Sequence, residues 1–385
     1  MRKRKYYSLL FSLGLFLTLN VPSVKIFYSS EIINIFAFFM VWFIGLTRTI
    51  ILDKGIIKFY EHKKIVLFLF LLMWYIIFIV TILKVPNNMS FRFYSEYFIV
   101  ILFFVGVLLF TKEEDISNVI YIQIFWAVVL SILTVTIGIN LDRSLGQHYL
   151  TLGVPIGAGI VSSLSVILLK DKKFSFNVWV ILALIVSIIA ISSLRGRSPL
   201  ILSFIVPMII GLLTLIFEKK LKLKIKNGIL YSIFFIIISW FVYNNLSDVL
   251  LRRIINLQNF LETEERFRVY SISLDIIKNN PLGIGLKNSV NYGIVYPHNI
   301  FLEIFISGGI GAMVMFIFVI ISVARNVLHS IKQQSYSICA LSIFLFYFFT
   351  WNVSFDLSSS YIPFTALAIM IASVSRYRIG DEKNE

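Results

Sequence analysis

Apolar runs dominate the chain and recur at lengths that suit a bilayer. Tyr7–Val21, Ile32–Leu52, Ile65–Leu83, Tyr97–Phe110, Val119–Ile139 and Thr151–Leu169 follow one another with short polar breaks. Phe176–Leu194, Pro199–Phe217, Ile229–Tyr243, Ile300–Val323, Ile338–Val353 and Tyr361–Val374 complete the series. A helix needs roughly 20 mostly apolar residues to cross a hydrocarbon core, so the pattern predicts an all-α, polytopic integral membrane protein of about 12 transmembrane helices. Residues 1–243 hold the first nine helices and their short loops. Residues 244–298 form one large extracytoplasmic loop containing short helices, and 299–385 hold the last three spans and a cytoplasmic tail.

Composition agrees with this pattern. The 385 residues are 58% hydrophobic and only 14% charged, whereas soluble domains carry roughly 25% charged residues. A net charge of +15 would suggest nucleic acid in a soluble protein. Here no basic run is interleaved with exposed aromatics, so no nucleic-acid partner is expected. Instead DKGIIKFYEHKK, KDKK, EKKLKLKIKNG and RNVLHSIKQQS all follow even-numbered spans and so fall on one side, and basic loops of this kind stay cytoplasmic. The first span, after MRKRK, meets Pro22 with no small-residue cleavage site, so it reads as a retained helix. Both termini are then cytoplasmic. Cys339 is the only cysteine, so neither a disulfide nor a thiolate metal site is expected.

The opposite side carries Arg92, Arg143, Arg195, Arg197, Arg252, Arg253, Arg266 and Arg268. Arginine's planar fork suits bidentate phosphate or carboxylate recognition better than a lysine ammonium, which points to an anionic ligand on that side. Arg195 and Arg197 stand out because RGRS joins two spans with almost no loop, pinning both at the mouth of the bundle. Ionisable groups deep within the spans are few, which argues against a transporter.

The long loop has its own periodicity. Leu250, Ile254, Leu257 and Leu261 mark one face of a surface helix. Thr263 can cap a second helix, with Phe267, Tyr270, Leu274 and Ile277 as its expected buried face and Pro281 as its stop. PLGIGL makes a glycine-permitted turn, and YGIVYPHN returns the chain to the next span. Gly308, Gly309 and Gly311 read as helix-packing glycines. His298 is the sole histidine of the loop. At a helix start it can be a solvated polar residue or a general base, since imidazole titrates near neutrality.

Arg266-x-x-x-Tyr270, Pro281-Leu-x-Gly-x-Gly, His298-Asn-x-x-Leu and Gly308-Gly-x-Gly, taken with Ser192–Ser198 and the upstream Arg143 and Gly146, resemble the bacterial O-antigen ligase and polysaccharide polymerase family. Two details depart from the usual pattern: Tyr270 stands where tryptophan is common, and GQHYL replaces the frequent Asn-Pro-Asn element after Arg143. The resemblance implies a glycosyltransferase in the bacterial cytoplasmic membrane that uses an undecaprenyl-pyrophosphate-linked oligosaccharide donor and acceptor. It implies a chain-length regulator and a flippase as partners. By this resemblance His298 and Arg266 are catalytic, while Arg195, Arg197, Arg143, Tyr270 and Arg268 bind pyrophosphate or glycan. No cofactor is expected. Displacement at the anomeric carbon would invert its configuration, and arginines can neutralise the leaving pyrophosphate in place of a metal. Polymerisation of repeat units is the first reading. Ligation to lipid A core or another acceptor is the second, and a lipid-linked sugar flippase the third.

Overall fold

The computed structural model describes residues 2–27, 32–57, 60–85, 91–137, 150–168, 178–194, 197–217, single positions between 225 and 244, 265–333 and 336–374. Every regular element among them is helical. In chain order they are α1 (Arg2–Val24), α2 (Ile32–Leu52), α3 (Glu61–Lys84), α4 (Phe91–Phe110), α5 (Glu113–Ile137), α6 (Leu150–Leu168), α7 (Val178–Ser193), α8 (Arg197–Phe217), α9 (Glu265–Asn279), α10 (Ile300–Gln333), α11 (Tyr336–Ser354) and α12 (Tyr361–Val374). Nine of these are long and apolar enough to cross a membrane, and α7 and α12 are shorter apolar helices. The chain is therefore a multi-pass membrane protein. Eleven of the expected spans have a described helix; the span expected at 229–243 lies outside the continuously described residues, as do the helix expected at 248–261, the cap at Thr263 and the tail beyond 374.

The helices sort their apolar residues by neighbour, since water is not the alternative to burial in a bilayer. On α3, Val66, Phe70, Met73, Trp74 and Ile77 are buried, while Ile65, Phe68, Tyr75, Ile79 and Ile82 form an exposed stripe at helical spacing. That stripe suits lipid tails, which are as apolar as the core. α6 is the central helix, packed against α5, α7, α8 and α11. Its small residues make this possible: a Cβ on Gly157 would meet the Phe346 ring at 2.6 Å, and one on Gly159 would meet the Ala127 Cβ at 2.1 Å.

Buried polar contacts pin the bundle at one end. The Arg48 guanidinium and Asp115 carboxylate are both fully buried and meet at 2.7 Å. Arg48 also donates to the Phe110 carbonyl and sits 4.5 Å above the Phe11 ring. Asp115 accepts from the Ser8 hydroxyl at 2.7 Å and the Lys112 backbone N–H at 2.8 Å. One charge pair thus ties α1, α2, α4 and α5 together. Such a pair is viable only when further hydrogen bonds fill most of its remaining valences; here the Arg48 Nε alone has no partner among the described residues.

At the other end, the loop strand after α9 is clamped into α10. The Gly309 backbone (φ 66°, ψ −165°) breaks the α-helical path of α10 in a region that only glycine occupies readily. The break frees the local carbonyls. Ile284 N–H donates to Ile306 O at 2.8 Å, Gly285 N–H to Ser307 O at 3.1 Å, and Ile310 N–H turns to Pro281 O at 2.9 Å. Leu286 N–H then reaches the Thr81 hydroxyl of α3 at 3.0 Å. PLGIGL is thus more than a turn; it wedges between α3 and α10. Gly309 corrects the expectation of a helix-packing role, which fits Gly308, set against Ile77 of α3.

Candidate active site

The clamp fixes where the rest of the loop can go. α9 packs Val269 and Ile276 into a small cluster with Ile284, Ile294 and Ile306, with Ser273 also buried. This corrects the face expected from periodicity, because Phe267 and Leu274 are 50% and 58% exposed. The apolar stripe of a helix beside a bilayer can face lipid, so hydropathy does not identify its protein-facing side. After a short 3₁₀ turn at Asn288–Tyr292, the chain runs through Tyr296 and the buried Pro297 to His298.

His298 adopts φ 53°, the left-handed region that a non-glycine residue enters at a cost of roughly 1–2 kcal/mol. The next residue explains why the chain must turn there. Asn299 caps α10: its side-chain oxygen accepts the Leu302 N–H at 3.1 Å and its carbonyl accepts the Glu303 N–H at 3.0 Å. Between a fixed proline and a committed cap, His298 absorbs the reversal. Its ring meets the Tyr296 ring edge-on, centroids 4.3 Å apart.

Arg266, Tyr296 and His298 all line a cavity of about 280 Å³ at the loop end of the bundle. The other walls come from α1 (Asn20, Pro22, Ser23), the start of α6 (Leu150, Thr151, Val154, Pro155), the end of α11 (Trp351, Ser354) and, beyond it, Phe355 and Ile362. Arg266 and His298, separated by 32 positions in the chain, thus share one cavity. Trp351 and Phe355 stack at 4.2 Å, giving this wall an aromatic surface. Pro155 lacks an N–H, so the Thr151 carbonyl has no helical donor from that position, and both residues line the cavity.

Burial and the nearby carboxylates of Asp356 and Glu303 push the Tyr296 hydroxyl above its ordinary value, against a smaller opposing pull from Arg266. An ordinary tyrosine titrates near 10, so this phenol keeps its proton and can donate a hydrogen bond across the neutral range.

The other sequence-derived candidates fall in different places. Arg268, two residues from Arg266 and so on another side of the helix, is exposed. Neither Arg268 nor the half-buried Tyr270 lines the cavity. Arg197 opens α8, and the next residue brings that helix to the cavity rim, Ser198 Oγ lying 3.2 Å from Ser354 Oγ. Arg143 and Arg195 lie outside the described residues. Lysine also occurs at this end, with Lys287 paired to Glu96 at 2.7 Å, so basic residues do not divide by type between the two ends.

Two carboxylates escaped the sequence reading as site residues. Glu303 is buried and accepts the Leu357 N–H at 2.8 Å, tying the first turn of α10 to the α11–α12 connection. Asp356 accepts from the Ser358 hydroxyl at 2.6 Å and from the Ser359 N–H and hydroxyl at 3.1 and 2.7 Å. Ser359 in turn accepts the Trp351 indole N–H at 3.0 Å. Together they hold the walls carrying His298 and Trp351 in fixed relation. Their position at the ends of apolar runs, Glu303 within the first turn of α10 and Asp356 just past α11, is the only hint the sequence offers. No family model matches the chain, and no curated protein matches it.

Proposed function

We propose that the chain is a membrane glycosyltransferase that polymerises undecaprenyl-pyrophosphate-linked oligosaccharide repeat units at the outer face of the bacterial cytoplasmic membrane. The observation that carries this reading is the convergence of Arg266, Tyr296 and His298 on one cavity at the loop end of the bundle. The motif resemblance supplies the substrate class.

In this reading the acceptor hydroxyl attacks the anomeric carbon of the donor sugar. His298 takes the hydroxyl proton as the new C–O bond forms, and the bond from that carbon to the pyrophosphate oxygen breaks. The electron pair leaves with the undecaprenyl pyrophosphate, and the configuration at the anomeric carbon inverts. Arg266 faces the growing negative charge of the leaving group, with Arg195 and Arg197 assigned to the same task from the α7–α8 turn. Fixed cations there favour the transition state over the ground state. A positioned base contributes typically 10²–10⁴-fold. The Tyr296 hydroxyl is a donor for a sugar or phosphate oxygen, and the Trp351–Phe355 surface suits the apolar face of a pyranose ring.

Purified protein supplied with lipid-linked repeat units tests the assignment. A ladder of lengthening products supports polymerisation. A single transfer to a second acceptor assigns ligation, and unconsumed substrate removes the transferase reading. Turnover in the presence of a chelator is expected to match turnover without it.

A further inference from the structure

A second cavity lies at the opposite end of the bundle, where α1 begins and α12 ends. Its volume is about 400 Å³, within the range of small-molecule sites. The walls include Arg4, Asp53, Lys63, Thr111 and Lys112, with an apolar side that includes Ile56 and Phe110. Most of the charge here is already matched: Lys112 meets Asp53 at 2.5 Å, and Arg4 meets Glu114 at 3.0 Å.

Lys63 is the exception. It is only 4% exposed, and its ammonium makes one hydrogen bond among the described residues, from Nζ to the Leu108 carbonyl at 3.3 Å. A buried ammonium has three protons to place and a charge to balance, and its desolvation is costly unless an anion answers it. On the wall of the same cavity, Thr111 is 5% exposed and its buried hydroxyl has no hydrogen-bond partner among the described residues. Two buried donors, one of them charged, thus line one cavity with room for a ligand.

We propose that this cavity binds a phosphate-bearing ligand, its oxygens held by Lys63 and Thr111 and flanked by Arg4 and Lys112. A phosphate offers several acceptor oxygens to converging donors, and the apolar wall suits a glyceryl or acyl portion. The proposal is independent of the transferase reading, because no residue is shared between the two cavities.

The full-length protein in a neutral detergent provides the test. Equilibrium dialysis with radiolabelled orthophosphate is run beside native mass spectrometry with dioleoylphosphatidylglycerol, with dioleoylglycerol as the phosphate-free control. Wild type is expected to retain a single phosphate-bearing probe and not the control. Retention of phosphatidylglycerol alone identifies a lipid headgroup as the source, whereas retention of orthophosphate identifies soluble phosphate. Lys63→Met is expected to weaken binding by at least about tenfold and Thr111→Val by about threefold or more. Retention of neither probe, equal retention of dioleoylglycerol, or unchanged affinity in Lys63→Met overturns the site. Should Lys63→Met not yield folded protein, Thr111→Val decides alone, and unchanged affinity in that variant overturns it.

Discussion

The backbones of Gly283 and Gly309 pass so close that a methyl group on Gly283 would stand 2.6 Å from the Gly309 nitrogen. A methyl on Gly309 would stand 2.3 Å from the Leu282 carbonyl carbon. Two glycine motifs far apart in the chain are therefore halves of one joint. Gly309→Ala should break it, with a loss above about 2 kcal/mol, because the methyl would meet backbone that has no rotamer to change and its own φ is positive. Gly311→Ala is the control: its Cβ would make only ordinary contacts with Ile76 at 3.7 Å. It should be neutral or stabilising by up to about 1 kcal/mol. Thermal unfolding of both variants in detergent measures the contrast.

The left-handed backbone of His298 separates its chemistry from its conformation. His298→Ala and His298→Gly should both lose product formation by about 10²-fold or more. Their stabilities should differ, because alanine keeps the strain at φ 53° that glycine relieves. Glycine should be the more stable variant by roughly 1 kcal/mol. Equal melting temperatures would mean that the reversal is not strained.

Arg266→Lys keeps the charge at the cavity and removes the fork. If two phosphate oxygens are held at once, turnover should fall about 10- to 100-fold while the protein remains in the membrane. Wild-type rates in this variant would leave only a point-charge role for Arg266.

The Arg48–Asp115 pair makes a prediction at the other end. Removing one partner leaves an uncompensated buried charge, so Arg48→Met alone should cost about 3–5 kcal/mol. Arg48→Met with Asp115→Leu should recover most of that loss. A double variant no better than the single one would show that the hydrogen bonds to Ser8 and Phe110 matter more than the charges.

Much of this architecture was legible in the sequence, for identifiable reasons. The run starting at Ile300 after Asn299 was readable because a capping residue and an apolar run coincide there. Arg266 and His298 were readable as members of one loop, and they share a cavity in the fold. The joint at Gly309 was not readable. GGIG within an apolar run looks like continuous helix, and nothing local shows that another strand will fill the break. The orientation of α9 was misread because an apolar stripe implies a protein interior only where the alternative is water. The role of Glu303 was not readable, because it depends on an approach between α10 and Leu357, 54 residues on, a stretch of about 200 Å of extended chain at roughly 3.3–3.6 Å per residue.

The central claim is that His298 removes the acceptor proton in a cavity it shares with Arg266. Purified wild type and His298→Ala, each incubated with lipid-linked repeat units and resolved by chain length, test it most directly. The account predicts a ladder from wild type and unextended substrate from the variant, with both proteins eluting alike on size exclusion. A ladder of equal intensity from His298→Ala would contradict it.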